Sequence, residues 1–177
     1  MTKKLRKTLG DVFAPSTTAL RDLIDTQSKE TICAWCLGYA ENKVLPIFEK
    51  YCPGDSRPRN AINAAHEFLE GKVKFPIVKD IILNECHAAA RELAAAPAAQ
   101  AAARAVGQGV AVVHTLTHSL GLLFYAAAAV AYDRVGLDTT EEAYAEIAEE
   151  VCLDYTDALR TIAVEDEPNP AKLKWNC

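Results

Sequence analysis

The feature that most constrains this chain is a stretch of 28 residues, Ala105 to Tyr132, that contains no Lys, Arg, Asp or Glu. A stretch of this length is long enough to span a bilayer. It also holds Gln108, two histidines and several hydroxyl side chains, and alanine is its commonest apolar residue. A helix that is apolar on all sides can equally form the buried centre of a soluble bundle. We therefore predict a buried bundle helix and no membrane span.

The composition agrees with a folded, soluble protein. Half of the 177 residues are apolar, 24% are charged, and Gly and Pro together contribute only 16 residues. These values exclude a disordered or collagen-like chain and leave enough apolar material for a core, with one domain expected at this length. The net charge of −5 gives no reason to expect nucleic acid or anionic lipid as a partner.

The N-terminus and the cysteines predict a cytoplasmic protein. The first ten residues contain four basic side chains, at positions 3, 4, 6 and 7, but no continuous apolar segment comes after them, because Asp11 and Pro15 interrupt it. A secretory signal is therefore not expected. Six cysteines without an export signal are typical of reduced thiols rather than a disulfide framework.

Apolar residues recur at three- and four-residue spacing along almost the whole chain, which predicts an all-α, single-domain bundle of five to six helices. We expect an N-terminal arm or short helix over 1–27, the bundle over 28–164 and a C-terminal tail over 165–177. The predicted helices of the bundle cover residues 28–50, 56–70, 76–96, 97–134 and 139–164.

Several residues predict where these helices bend, begin and end. Pro46 should kink or split the first of them, because proline cannot donate the helical hydrogen bond. Ser56 is expected to cap the next helix and Gly71 to end it. Thr139 and Glu142 have the spacing of a capping box for the last helix.

The long helix predicted over 97–134 places two histidines on one narrow face. Histidines four residues apart can bind a metal ion or act as an acid–base pair. They can equally satisfy polar groups at a tight helix crossing, and no HExxH motif is present. The face consists of Gly107, Ala111, His114, His118, Gly121 and Tyr125.

Cys33 and Cys36 form a CxxC motif with three interpretations. They can be structural thiols, zinc ligands completed by histidines such as His114 and His118, or a redox pair. No βαβ pattern surrounds the motif and no second CxxC exists, so structural thiols are favoured.

Arginines supply a further candidate site. Arg57 and Arg59 lie at the start of a predicted helix, where they could bind an anion or pair with nearby carboxylates such as Asp55 and Glu85. No catalytic residue is predicted. The candidate ligand- or partner-binding residues are Arg57, Arg59, His87, Arg91, His114 and His118.

The last predicted helix is strongly acidic. Such a face can be simply solvated, or it can dock a basic partner. Its charged residues are Glu141, Glu142, Glu146, Glu149, Glu150, Asp154 and Asp157, against Arg160.

Several short motifs occur in an order that is similar to a known family. They are Trp35-Cys36, Val44–Glu49, Asp55–Ile62, His87–Arg91, Ala102–Gly107 and His114 with His118. Together they resemble a bacterial family of small helical immunity proteins, the immunity-five-like group, over residues 28–132. The resemblance implies an all-helical fold, neutralisation of a toxin of the same or a neighbouring cell, and no known catalytic activity. It also places the arginines at 57 and 59 and the histidines at 87, 114 and 118 on recurring positions of that family.

The sequence supports three functional hypotheses. The first is a cytoplasmic protein that binds a protein toxin and neutralises it by occlusion, without a cofactor. The second is a metal- or anion-dependent enzyme, with zinc as the candidate metal, that uses an interhelical pocket of histidines and arginines. The third is a structural homodimer whose interface is formed by the alanine-rich helix faces.

Overall fold

The computed structural model describes residues 5–175, and these form seven helices around one hydrophobic core, with no strand. The all-helical prediction is confirmed, and the number of helices exceeds the predicted five to six. Lys3, Lys4 and Cys177 lie outside the described residues. The helices are α1 (Pro15–Asp25), α2 (Lys29–Tyr39, continued by a π-helical turn Ala40–Val44 and by Leu45–Tyr51), α3 (Arg57–Leu69), α4 (Phe75–Ile81, a π-helical turn Ile82–Cys86 and His87–Glu92), α5 (Pro97–Ala111), α6 (His118–Val135) and α7 (Glu141–Arg160).

The centre of the fold is α5, which contacts α2, α3, α4 and α6. Two glycines of α5 face the two π-helical turns. A Cβ atom on Gly109 would lie 3.0 Å from Cβ of Ala40, the first residue of the α2 turn. A Cβ atom on Gly107 would lie 3.0 Å from Cε1 of His87, the residue directly after the α4 turn. The missing side chains therefore allow α5 to approach both widened helices closely.

The prediction of one helix over 97–134 is wrong. α5 ends at Ala111, residues 112–117 form a turn, and α6 begins at His118. A continuous helix of that length would extend about 57 Å, nearly twice the ~30 Å diameter of a small domain, so both ends would leave the core. The β-branched residues in the turn, Val112, Val113 and Thr115, also disfavour a continuous helix.

The turn folds α5 and α6 against each other as a helical hairpin, and most of their alanines are buried. The buried alanines include Ala98, Ala99, Ala101, Ala102, Ala103, Ala105, Ala126, Ala127, Ala128, Ala129 and Ala131. The alanine faces that would have formed a homodimer interface are thus used within the chain.

The π-helical turn of α2 ends two residues before Pro46, where the sequence predicts a kink. Pro46 has no N–H to offer to the preceding turn. The Leu45 amide donates to the Ala40 carbonyl, five residues earlier, so the helix widens and then continues. A proline is in this way accommodated without ending the helix.

Two predicted caps are each displaced by one residue. The Ser56 side chain makes no capping hydrogen bond, and Asp55 Oδ1 instead accepts from the Arg57 amide at 3.1 Å. α7 is capped by Thr140 rather than Thr139, and Thr140 Oγ1 accepts from the amide three residues later at 3.2 Å. At both helix starts two adjacent residues have similar capping ability, so the sequence alone does not show which of the two forms the cap.

A buried aromatic pair connects α2 to α7. The rings of Trp35 and Tyr155 stack with centroids 3.9 Å apart, and Trp35 Nε1 donates to the Tyr155 carbonyl at 3.0 Å. The Tyr155 hydroxyl donates to the Ser119 carbonyl of α6 at 3.2 Å. Their polar atoms are satisfied in the core, so the pair fixes three helices relative to one another.

The segments at both ends of the described chain pack on the bundle. In the N-terminal arm, the Leu9 amide donates to the Phe124 carbonyl of α6 at 3.1 Å. In the tail, Trp175 Nε1 donates to Asp25 Oδ1 at 3.0 Å.

None of the helices in residues 5–175 has the length and apolar character needed to cross a membrane.

We predict opposite effects of two glycine substitutions on stability. Gly109→Val should lower the free energy of unfolding by about 1–3 kcal/mol, because its added atoms overlap the α2 turn. Gly38→Ala should raise it by about 0.5–1 kcal/mol, because no atom lies within 4 Å of the new Cβ and alanine favours the helix. Urea unfolding monitored by circular dichroism measures both, and equal effects would contradict the proposed packing of α5.

Candidate functional site

The structure separates the candidate arginines from the candidate histidines. Arg57 Nη2 donates to Asp55 Oδ2 and to Glu92 Oε2, both at 2.8 Å, and so connects the start of α3 to the end of α4. The hydrogen bond from Arg57 lowers the pKa of Asp55. Because carboxylates occupy this guanidinium, the helix start does not present it to an external anion.

Arg59 is engaged in the same way. Its Nε donates to Glu49 Oε1 at 2.8 Å, which connects α3 to α2. Glu85, named as a potential partner of the arginines, instead accepts a hydrogen bond from Asn60 Nδ2 at 2.9 Å. Both candidate arginines thus hold helices together through ion pairs.

Two of the candidate histidines come together where α4, α5 and α6 meet. His87 lies against Gly107, and His118 Nδ1 is 2.7 Å from Oε1 of Gln108 on α5. Gly121 leaves the space that the Gln108 amide occupies, since a Cβ there would fall 2.2 Å from Oε1. We call His87, Arg91, Arg104, Gln108 and His118 the histidine cluster.

The histidine cluster favours uncharged imidazoles. Burial is the largest cause that lowers the pKa of His87, followed by the charges of Arg91 and Arg104 and the proximity of His118. Burial also lowers the pKa of His118, with a smaller effect of His114. Carboxamide Oε1 can only accept, so His118 Nδ1 carries the proton and Nε2 is the acceptor of the neutral ring. A neutral ring of this kind can accept a hydrogen bond or bind a metal ion.

His114 does not share a helix face with His118, contrary to the prediction. It lies exposed in the turn between α5 and α6, and its Nδ1 is 2.9 Å from Thr115 Oγ1. Its ring stacks on Phe75 of α4, with centroids 4.2 Å apart and planes at 16°. The predicted six-residue face is interrupted because the helix ends before His114.

The CxxC motif is enclosed in the core. Cys36 Sγ lies 3.2 Å from the Tyr155 hydroxyl, and Cys33 Sγ donates to the Val112 carbonyl at 3.8 Å. Burial raises the pKa of Cys33 to about 11 and that of Cys36 further, so both thiols stay protonated near neutral pH. Zinc binding and thiol exchange need the thiolate. Within residues 5–175, no group of three or more His, Cys, Asp or Glu side chains is arranged to hold a metal ion.

Most of the acidic side chains of α7 have partners inside the protein. Glu146 is exposed and has no ion pair with another residue of the described part, and Leu153 on the same helix is 50% exposed. Glu149 accepts a hydrogen bond from Ser16, and the ion pairs between described residues include Glu141–Arg6, Glu150–Arg134, Asp154–Lys43 and Asp157–Arg160.

Sequence reasoning missed Arg104 and Gln108. They lie four residues apart on α5, so they share the one polar stripe of an otherwise apolar helix, next to His118 across the turn. This four-residue spacing of polar residues could have indicated a polar site on α5. The prediction of a continuous helix concealed it, because in such a helix His118 would lie far from Gln108.

We predict that the histidine cluster makes stability depend on pH. The pKa values of His87 and His118 are lower in the folded protein than the ordinary 6.5, so between the two values the unfolded chain binds more protons. The free energy of unfolding should therefore be highest above about pH 7 and should decrease as the pH falls through 6.5 towards 5. The melting temperature measured across this range tests the sign, and His87→Gln with His118→Gln should reduce the decrease.

The matched control is His66→Gln, which removes an exposed histidine of α3. If this variant reduces the pH dependence as much as the double variant does, the effect does not come from the histidine cluster.

Comparison with known proteins gives one family. The model of the family described as "Imm-5 like putative immunity protein" matches residues 22–158, from the end of α1 to near the end of α7. No curated protein and no solved structure matches the chain. The match contains the whole segment 28–132 that carries the resemblance, and it extends into the acidic α7. The resemblance is confirmed, and the chain belongs to this Imm-5-like family.

Proposed function

We propose that this protein binds a protein toxin in the cytoplasm and neutralises it by covering the surface on which the toxin acts. The observation that carries the proposal is the family match over residues 22–158, which includes nearly the whole helical bundle. Occlusion needs a stable folded surface and no catalytic group in the immunity protein. The core around α5 supplies such a rigid support.

We place the contact with the toxin on the outer face of α7. Glu142, Glu146, Glu149 and Leu153 succeed one another at intervals of four, three and four residues, so they share one side of the helix, and all four are exposed. An apolar residue surrounded by charged ones is the usual arrangement of an interface. The negative charge would attract a basic toxin surface and accelerate association.

In this proposal the candidate arginines have a structural role. Arg57 and Arg59 hold α3 to α4 and α2 through carboxylates, and His118 holds α6 to α5 through Gln108. Arg91 is exposed at the end of α4.

The proposal is tested by searching the genome beside the gene for this protein for a toxin gene. The toxin is expressed from an inducible promoter in a bacterial host with and without this chain, and growth is recorded. We expect growth only when the chain is present, and a complex of the two purified proteins in size-exclusion chromatography. A neighbouring toxin that the chain neither binds nor neutralises, or the absence of any toxin gene nearby, would contradict the proposal.

We predict that Glu146→Lys weakens the complex through its association rate. The substitution reverses one charge on the proposed contact face, so association should slow by about threefold to tenfold at low salt, with little change in dissociation. Surface plasmon resonance at low and high salt measures both rates. Glu67→Lys makes the same change on the exposed surface of α3 and should have no such effect. If both variants slow association equally, α7 is not the contact with the toxin.

A further inference from the structure

A cavity of about 270 Å³ lies between the N-terminal arm, α1, α6 and α7. Its inner walls are apolar and include Leu123, Phe124 and Ala127 of α6 and Ala148 of α7. The volume falls just below the ~300–1,000 Å³ of typical small-molecule sites. The size therefore suits one large apolar side chain better than a cofactor.

Carboxylates surround the mouth of the cavity. Asp11, Glu141 and Glu149 line it, and Arg6 is the one basic residue of the lining within residues 5–175. Arg6 Nη1 lies 2.8 Å from Glu141 Oε2, which leaves the rim with an excess of negative charge. An apolar group with a cation beside it would match both the walls and the rim.

Local hydrogen bonds fix two of these carboxylates in place. Asp11 Oδ1 accepts from the Phe13 amide at 2.9 Å, and Glu149 Oε2 accepts from Ser16 Oγ at 2.7 Å. Each carboxylate is thereby oriented by the chain before any ligand arrives, which reduces the entropy lost on binding.

The floor of the cavity carries no charge. Thr17 Oγ1 and Cys152 Sγ meet there at 4.0 Å, and burial raises the pKa of the thiol, which stays protonated. A charged group pushed to this depth would lose its hydration without a counter-charge. The ligand must therefore place its apolar part inward and its cation at the rim.

The cavity is continuous with the proposed contact face. Glu149 belongs to both, and Phe13, which is 78% exposed, lies two residues after Asp11 at the rim. An exposed aromatic residue beside a cavity is the kind of group that interfaces use as an anchor.

We propose that this cavity receives an apolar side chain of the toxin that is flanked by lysine or arginine. The identity of this occupant rests on the proposed function. The apolar side chain fills the space between α6 and α7, and the neighbouring basic group pairs with Asp11 and Glu149. The toxin segment recognised here therefore combines a large apolar residue with adjacent positive charge.

The chemistry of the cavity is tested without the toxin, by nuclear magnetic resonance titration with n-hexylamine. We expect saturable shifts confined to residues such as Thr17, Phe124 and Cys152, weaker binding of n-hexanol and weaker still of hexanoate. Glu149→Gln should lower the affinity for n-hexylamine and leave that for n-hexanol unchanged, and Glu146→Gln is the matched control outside the cavity. Shifts spread over the acidic surface, or equal binding of n-hexylamine and hexanoate, would overturn the proposed chemistry.

The occupant is tested with the toxin. Ala148→Leu fills the cavity and should weaken toxin binding by about tenfold or more through faster dissociation, whereas Ala143→Leu, on the same helix but outside the cavity, should change it less than about twofold. Circular dichroism melting confirms that both variants fold. A folded Ala148→Leu variant that binds toxin as tightly as the parent chain would contradict the proposal that a toxin side chain occupies the cavity. If the parent chain binds no toxin, the proposed function fails, while the n-hexylamine titration still judges the cavity.

Discussion

The rest of the structure depends on how closely α5 approaches its neighbours. Gly107 and Gly109 place the backbone of α5 against the widened turns of α4 and α2, and a methyl group at either position would lie about 3.0 Å from the opposing atoms. Interiors are packed to the density of organic crystals, so such a contact leaves little freedom for sliding. This contact places His87 beside Gly107, and α6 packs at the same surface, since a Cβ on Gly109 would also lie 3.3 Å from Leu122 Cδ2.

The two π-helical turns are part of the same arrangement. Each inserts one residue into a helix and turns the side chains beyond it to a new direction. In α4 the residue after the turn is His87, which belongs to the histidine cluster. In α2 the turn precedes Pro46 and shows why that helix continues to Tyr51. Periodicity alone does not reveal such insertions, since a shift of one residue still looks helical.

Much of the fold could be read from the sequence, and the failures share a cause. Apolar spacing predicted most of the helices to within a few residues of their ends, and Gly71, correctly predicted to end α3, has φ of +74°. The prediction of one helix over 97–134 failed because alanine is favourable on every helix face, so the alanine pattern does not locate the reversal, and the β-branched residues at 112, 113 and 115 are only a weak signal of it. The predicted face with His114 and His118 is wrong for the same reason, because the positions of both histidines depend on where the chain reverses. The cavity was not foreseen, since the arm and α7 that line it are more than 100 residues apart in sequence.

The hairpin of α5 and α6 also bears on how the chain acquires its structure. Among the helices that the structure describes, these two make the most extensive contact, yet only residues 112–117 separate them. Closing so short a loop costs little conformational entropy, whereas the stacking of Trp35 on Tyr155 must bring together residues 120 positions apart. Because the hairpin costs less entropy to close than the long-range aromatic contact, we expect the hairpin to form early in folding and the other helices to pack on it afterwards.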